Sequence, residues 1–87
     1  MNQVTVIVKE HCPYCAQALR QIQLIQPKYP GVEVVILDEQ EHTDLAEQYD
    51  YFYLPAVFVD QKKIFEGAAY KADIERAFWM AANKNER

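Results

Sequence analysis

The sequence contains few of the residues that mark fibrous, disordered or secreted disulfide-rich chains. Its 87 residues include two glycines, four prolines and two cysteines, while 51% are hydrophobic and 25% are charged. A collagen-like or disordered chain would carry far more glycine and proline, and a secreted mini-domain would carry several disulfide-forming cysteines. We therefore expect one globular domain over residues 1–87, a length too short for two independent cores.

A basic surface stripe and a long apolar run are also missing. The net charge is −4 and the nine basic residues are scattered along the chain, which argues against nucleic acid as a partner. No apolar run reaches the roughly 18 residues that a membrane-spanning helix needs. Because strand character begins by Gln3, we expect no secretory leader, and we predict a cytoplasmic protein that does not bind membranes.

Both cysteines lie in one short stretch, Cys12-Pro13-Tyr14-Cys15. The apolar, β-branched residues 3–9 precede it and predict a buried strand, and the spacing after it becomes helical. The pair therefore lies at a strand-to-helix junction, where unpaired N–H groups and the helix dipole favour a thiolate on Cys12. A C-x-x-C pair beside such a junction is typical of a thiol–disulfide redox centre.

The remaining pattern predicts alternating strands and helices in the order βαβαββα. The first helix should turn Cys15 inward, leave Cys12 at its exposed end and stop at Pro27. A nearly continuous apolar run over residues 32–37 predicts a parallel strand that is covered on both faces. Asp38 is a candidate helix cap. The later elements are predicted as a short helix around Leu45 and Ala46, strands over residues 56–60 and 63–66, and a last helix from Lys71.

This order, with Cys-Pro-Tyr-Cys after the first strand and Leu54-Pro55 before the third, resembles the thioredoxin superfamily, and the tetrad itself resembles that of glutaredoxins. The resemblance covers nearly the whole chain and implies an α/β thioredoxin-like fold. Its mixed four-stranded sheet would have the order 2-1-3-4, with the first and last helices on one face and the middle helix on the other. It also implies a cis bond between Leu54 and Pro55, with Pro55 against the Cys12 sulfur.

The resemblance further implies a dithiol–disulfide oxidoreductase that uses no cofactor and acts on disulfide-bearing proteins as a monomer. Cys12 would attack the substrate, and Cys15 would resolve the mixed disulfide. The backbone of Leu54 would pair with an extended substrate. Lys9 matches a lysine that glutaredoxins place beside the thiolate, although it could also be merely solvated. The predicted substrate contacts are Lys9, Tyr14, Tyr53, Leu54 and Pro55.

Two segments depart from the glutaredoxin pattern. Tyr53-Leu54-Pro55 stands where that family has Thr-Val-Pro. The stretch from Phe65 to Lys71 lacks the Gly-Gly and following aspartate that hold glutathione there, and its Glu66 adds negative charge where an anion would approach. We therefore expect a protein electron donor of the thioredoxin-reductase type, with glutathione as the alternative donor.

Two other function classes have less support. A zinc site normally needs four Cys or His ligands, and the chain offers only its two cysteines with His11 and His42, so we predict no metal. A redox-silent docking module would not need both cysteines at a helix start. Among the aromatic residues before Pro55, we predict that Phe52 is buried, because aromatic rings usually join the core, and that Tyr53 contacts the substrate.

Overall fold

Residues 2–83 form four strands and three α-helices in this computed structural model, which describes that part of the chain. Met1 and residues 84–87, which complete the predicted domain, lie outside the described residues. The strands are β1 (Gln3–Val8), β2 (Glu33–Asp38), β3 (Ala56–Val59) and β4 (Lys62–Glu66). The helices are α1 (Pro13–Ile25), which a 3-10 turn over Gln26–Lys28 extends, α2 (Thr43–Ala46) and α3 (Lys71–Ala82). The predicted order βαβαββα is confirmed.

The four strands form one mixed sheet in the order β2-β1-β3-β4, as predicted. β1 pairs parallel with β2 and antiparallel with β3, and β4 pairs antiparallel with β3. Ile7 lies opposite Ala56, and Ala56 lies opposite Glu66. The segments that follow β1, precede β3 and follow β4 therefore emerge at the same end of the sheet.

Alternate residues of β1 are buried on opposite faces of the sheet, because successive side chains of a strand point in opposite directions. Val4, Val6 and Val8 join the larger core cluster, which the inward residues of α1 and α3 complete. Ile7 joins a smaller cluster that includes Ala46 of α2. The predicted layering, with the first and last helices on one face and the middle helix on the other, is confirmed.

Two predicted details of the middle region are wrong. β2 lies at the edge of the sheet with one neighbouring strand. Among its residues Leu37 is buried and Ile36 is 48% exposed, so the strand is not covered on both faces. Asp38 does not cap a helix. Its Oδ1 accepts a hydrogen bond from the Gln40 N–H at 2.8 Å, which closes a local turn that aspartate forms readily, and α2 begins later, at Thr43.

The helices are short. α1, the longest in the described part of the chain, has 13 residues. Its buried residues Cys15, Ala18, Ile22 and Ile25 belong to the larger core cluster, whereas Leu24 is exposed. Within residues 2–83, no helix has both the length and the apolar character needed to cross a bilayer.

Candidate redox site

The cysteine turn, which we define as residues 12–15, begins α1 just after β1 ends. Cys12 is the N-cap of the helix with an extended backbone (φ −114°, ψ 104°), and Pro13 occupies the first helical position. Proline suits this position because its missing N–H would have no partner inside the helix. His11 has φ +58°, so the backbone makes a left-handed bend directly before the cap. The geometry of the turn therefore follows from the local chain.

The two cysteines form a disulfide across the first helical turn, with their Cα atoms 5.1 Å apart. The Cys15 N–H also donates a hydrogen bond to the Cys12 Sγ at 3.1 Å. Cys15 is 3% exposed and belongs to the larger core cluster, whereas Cys12 is half-buried at its margin. The predicted inward direction of Cys15 is confirmed, and the two cysteine residues differ in their exposure to solvent.

An open groove of about 530 Å³ runs beside the disulfide. Its lining includes Lys9 together with both cysteines. Lys9 and His11 are both exposed, and the His11 Nε2 lies 3.8 Å from the Glu10 carboxylate. Tyr14 is 55% exposed but is not among the residues of this groove. The walls include Val8, Lys9, His11, Cys12, Cys15 and Leu19.

Residues 50–54, which we call the aromatic loop, lead into β3 at the same end of the sheet. The bond between Leu54 and Pro55 is cis, which confirms that prediction. Pro55 is fully buried, and its carbonyl oxygen accepts a hydrogen bond from the Gly67 N–H at 2.9 Å. Leu54 packs against both core clusters, and Tyr53 is 67% exposed. Leu54 and Cys12 both border the larger cluster. The loop precedes β3 and the cysteine turn follows β1, so both segments lie at the same end of the sheet.

The prediction that Phe52 is buried is wrong, because its side chain is 78% exposed. Two other rings pack against the smaller core cluster, on the face of the sheet that α2 covers. Tyr49 stacks at a tilt on Phe58, with the ring centroids 4.7 Å apart, and Tyr51 packs against the same smaller cluster. The Phe52 ring instead lies 5.7 Å from the Lys63 Nζ, a distance at which a cation and an aromatic face attract each other.

Side chains from other parts of the chain hold two adjacent residues of the aromatic loop, Tyr51 and Phe52. At the start of the loop, the Tyr51 hydroxyl donates a hydrogen bond to the Glu39 Oε1 at 2.7 Å. Burial, and then the neighbouring Glu39 carboxylate, raise the pKa of Tyr51 to about 12. Sequence reasoning missed this pair, because nothing in the local pattern connects two residues that lie 12 positions apart.

Further along the loop, the Glu66 Oε1 accepts hydrogen bonds from the Phe52 N–H at 2.9 Å and from the Lys63 Nζ at 3.2 Å. These contacts hold the pKa of Glu66 below its ordinary value. The hydrogen bond from the Phe52 N–H is the main cause, and Lys63 and the Tyr53 N–H contribute less. The sequence indicates Glu66 only as a negative charge that would oppose an anion. Its role in holding the loop depends on the pairing of β4 with β3.

The histidines do not gather with the cysteines into a metal site. Throughout residues 2–83, no group of three or more His, Cys, Asp or Glu side chains is arranged to hold a metal ion. His11 precedes the cysteine turn, and His42 directly precedes α2, which packs on the other face of the sheet. The arrangement at this end of the sheet is that of a reactive sulfur pair beside an exposed aromatic segment.

Comparison with known proteins agrees with this geometry. A family model described as the thioredoxin domain matches residues 2–78. Oxidised thioredoxin from Plasmodium falciparum superposes with a TM-score of 0.75 at 14% identity, over 92% of this chain and 80% of that chain. Oxidised mitochondrial thioredoxin 3 from Saccharomyces cerevisiae has a TM-score of 0.72 at 20% identity, over 88% and 76% of the two chains.

A third solved structure, Fasciola hepatica thioredoxin, has a TM-score of 0.68 at 18% identity, over 97% of this chain and 80% of that chain. Because all three identities are low, these structures show a shared fold and nothing finer. No curated protein is significantly similar to this chain in sequence.

Proposed function

Because this chain belongs to the thioredoxin-domain family, we propose that it is a dithiol–disulfide oxidoreductase that reduces disulfides in other proteins through Cys12 and Cys15. The observation that carries this proposal is the unequal exposure of two cysteine residues at one helix start. Cys12 is half-buried at the margin of the core, and Cys15 is 3% exposed. This difference supports attack on the substrate by Cys12 and resolution by Cys15.

Reduction begins from the dithiol form of the protein. The Cys12 thiolate attacks one sulfur of the substrate disulfide, a new S–S bond forms, and the other substrate sulfur leaves as a thiolate that takes up a proton. Cys15 then loses its proton and attacks the Cys12 Sγ, which expels the second substrate thiolate. Two electrons have passed to the substrate, and the protein is left with the Cys12–Cys15 disulfide.

Three features support the reaction of Cys12 as a thiolate. Its Sγ accepts a hydrogen bond from the Cys15 N–H, and such a bond strengthens when the acceptor carries a negative charge. Cys12 caps α1, so the positive end of the helix dipole acts on the sulfur. Lys9 lines the same groove and adds positive charge there.

The aromatic loop supplies the substrate contacts in this proposal. The Leu54 backbone pairs with an extended segment of the substrate beside Pro55, and the exposed rings of Tyr53 and Tyr14 flank that segment. Aromatic rings suit such a surface because they bury a large area and lose little side-chain entropy. The protein works as a monomer without a cofactor, in the cytoplasm, where thiols are kept reduced.

For the electron donor we propose a flavoenzyme of the thioredoxin-reductase type or another protein. Glutathione carries carboxylates that need matched donors at a binding site. Near the loop, the Phe52 N–H and the Lys63 Nζ already donate to the Glu66 carboxylate, so these two donors are not free for a carboxylate of glutathione. Glutathione is the second candidate, because Lys9 in the groove would attract an anionic peptide.

A pair of NADPH-coupled assays tests the donor, with Cys12→Ser as the inactive control. One assay contains thioredoxin reductase, and the other contains glutathione and glutathione reductase. We expect faster disulfide reduction with thioredoxin reductase, and turnover only with glutathione would reverse the order of the two donors. Activity with dithiothreitol alone would indicate a different protein donor. Inactivity even with dithiothreitol would overturn the proposed function in favour of a docking module.

A further inference from the structure

A charged cluster lies at the end of the sheet that carries the disulfide, outside the groove beside the cysteines. Glu66 is the last residue of β4 and lies opposite Ala56 in the β3–β4 ladder. Since Ala56 directly follows Pro55, the Glu66 side chain reaches the aromatic loop, where it accepts from the Phe52 N–H at 2.9 Å. The nucleophilic sulfur and this carboxylate therefore lie on different elements at one end of the sheet.

Lys63 contacts both the Glu66 carboxylate and the aromatic ring of Phe52. Its Nζ donates to the Glu66 Oε1 at 3.2 Å and lies 5.7 Å from the centre of the Phe52 ring. The Glu66 and Lys63 side chains are only 19% and 33% exposed, so water competes less for these contacts than it would at an open surface pair. Phe52 is thus held by its backbone through Glu66 and by its ring through Lys63.

The aromatic loop needs such support because it belongs to no strand or helix. Residues 50–54 form bends and irregular backbone, and two of their rings, Phe52 and Tyr53, are mostly exposed. A segment of this kind samples many conformations unless contacts from elsewhere restrict it, and ordering it during binding lowers affinity. A carboxylate that bonds the loop's own N–H groups removes part of that loss in advance.

We propose that Glu66 is a positioning residue for protein substrates, whose carboxylate holds the aromatic loop in the conformation that receives the substrate backbone. This inference rests on the proposed function. Glu66 is not a wall of the groove beside the sulfurs, so it acts through the loop and not on the exchange reaction. A protein disulfide, which must pair with the loop, depends on Glu66, whereas a small disulfide that reaches Cys12 directly does not.

Two substitutions of Glu66 separate the hydrogen bond from the charge. Glu66→Ala removes both, while Glu66→Gln keeps a side-chain oxygen that can accept from the Phe52 N–H. Lys63→Ala removes the ammonium alone. The matched controls are Glu33→Ala, at the start of the outer strand β2, and Lys62→Ala, the exposed neighbour of Lys63 on β4.

The measurement uses the pre-reduced protein with two disulfides, insulin and the small aromatic disulfide 5,5′-dithiobis(2-nitrobenzoate). Single-turnover rates over a range of insulin concentrations give a maximal rate and a half-saturating concentration. Glu66→Ala should raise the half-saturating insulin concentration about tenfold, as the loss of one charge-assisted hydrogen bond predicts, with a nearly unchanged maximal rate. Glu66→Gln should recover most of this loss, and Lys63→Ala should fall between them. All variants should react with the small disulfide at the wild-type rate.

Three results would overturn the inference. The first is a half-saturating insulin concentration for Glu66→Ala equal to that for Glu33→Ala. The second is an increase for Glu66→Gln as large as that for Glu66→Ala, and the third is an equal loss of rate with insulin and with the small disulfide. If Glu66→Ala fails to fold, Glu66→Gln and Lys63→Ala still decide, because the inference requires Lys63→Ala to weaken insulin reduction relative to Lys62→Ala. A wild-type protein that reduces neither disulfide would overturn the proposed function and this inference with it, a result distinct from a selective loss with insulin.

Discussion

The cysteine turn and the aromatic loop lie at the same end of the sheet, but different kinds of contact hold them. The turn is held by its own neighbours in the chain, since Cys12 caps α1, Pro13 starts it and the Cys15 N–H bonds the Cys12 sulfur. The loop is held by Glu39 and Glu66, which lie 12 and 14 positions from the loop residues they contact. The geometry of the cysteine turn thus depends on local structure, whereas the geometry of the aromatic loop depends on tertiary structure.

The largest expected effect comes from the cysteine turn itself. Cys12→Ser should reduce disulfide reduction to background, because it removes the attacking sulfur. Cys15→Ser should still attack but should accumulate a mixed disulfide with the substrate, because the resolving thiol is missing. Non-reducing electrophoresis and mass spectrometry of the trapped species check this. Trapping by Cys12→Ser, or faster alkylation of Cys15 than of Cys12 in the reduced protein, would contradict the assigned roles.

A smaller effect is expected at Gly67, whose N–H donates to the carbonyl oxygen of Pro55, the residue that follows the loop. Gly67 has φ +88°, and alanine in that left-handed conformation is destabilised by about 1–2 kcal/mol. An added Cβ would meet only the Tyr53 Cβ, at 3.9 Å, so the destabilisation arises from the backbone and not from crowding. Gly67→Ala should therefore lower the free energy of unfolding in urea.

Gly31→Ala is the matched control for that substitution. No atom lies within 4 Å of a Cβ added at Gly31, and replacing glycine without strain stabilises a protein by about 0.4–1 kcal/mol through the unfolded chain. The two variants should therefore shift the urea midpoint in opposite directions. Shifts of the same sign and size would show that the conformation at Gly67 does not restrain the end of β4 where the loop is held.

The hydrogen bond at the start of the loop should contribute about 1 kcal/mol. Tyr51→Phe removes the donor to Glu39, and we expect it to lower the free energy of unfolding by that amount near neutral pH. In the folded protein the pKa of Tyr51 rises from 10.0 to about 12. The stabilisation is therefore complete below pH 10 and is lost as the pH rises through about 12.

Urea unfolding of the wild type and Tyr51→Phe between pH 8 and pH 12 checks the direction of this dependence. The difference between the two proteins should shrink as the pH rises above 10. Tyr53→Phe, which removes the hydroxyl of an exposed tyrosine in the same loop, is the control. A difference that grows above pH 10 would contradict the proposed hydrogen bond.

The smallest effect should come from Lys9, because exposed charges act weakly through water. Lys9→Gln should slow the reaction of Cys12 with an anionic disulfide about two- to threefold at low ionic strength, and the effect should fade in 1 M salt, where charges are screened within about 3 Å. Lys62→Gln on β4 is the control. An equal effect of the two substitutions would assign the change to net charge and not to the position of Lys9 in the groove.

The same contrast explains how much could be predicted from the sequence. The helix start could be predicted from adjacent residues, and the inward direction of Cys15 from the 3.6-residue period of a helix. The strand order follows from the resemblance of the whole pattern to the thioredoxin superfamily. The exposure of Phe52 could not be predicted, because composition does not tell which of several neighbouring rings faces the core. Tyr49 and Tyr51 fill that space.

The other misses have related causes. An aspartate such as Asp38 can close a turn as well as cap a helix, and the choice depends on where the next element packs. The contact between Glu66 and the Phe52 N–H exists only because the β3–β4 register places Glu66 opposite Ala56. Side-chain contacts of this kind appear once the sheet is assembled.

The position of β2 and β4 at the two edges of the sheet has a consequence for aggregation. An edge strand presents unpaired backbone groups to any extended chain, which invites aggregation. β2 begins with Glu33 and ends with Asp38, and β4 carries two lysines and Glu66. Charges of this kind disfavour strand addition at either edge, so they protect the sheet against pairing between two copies of the chain.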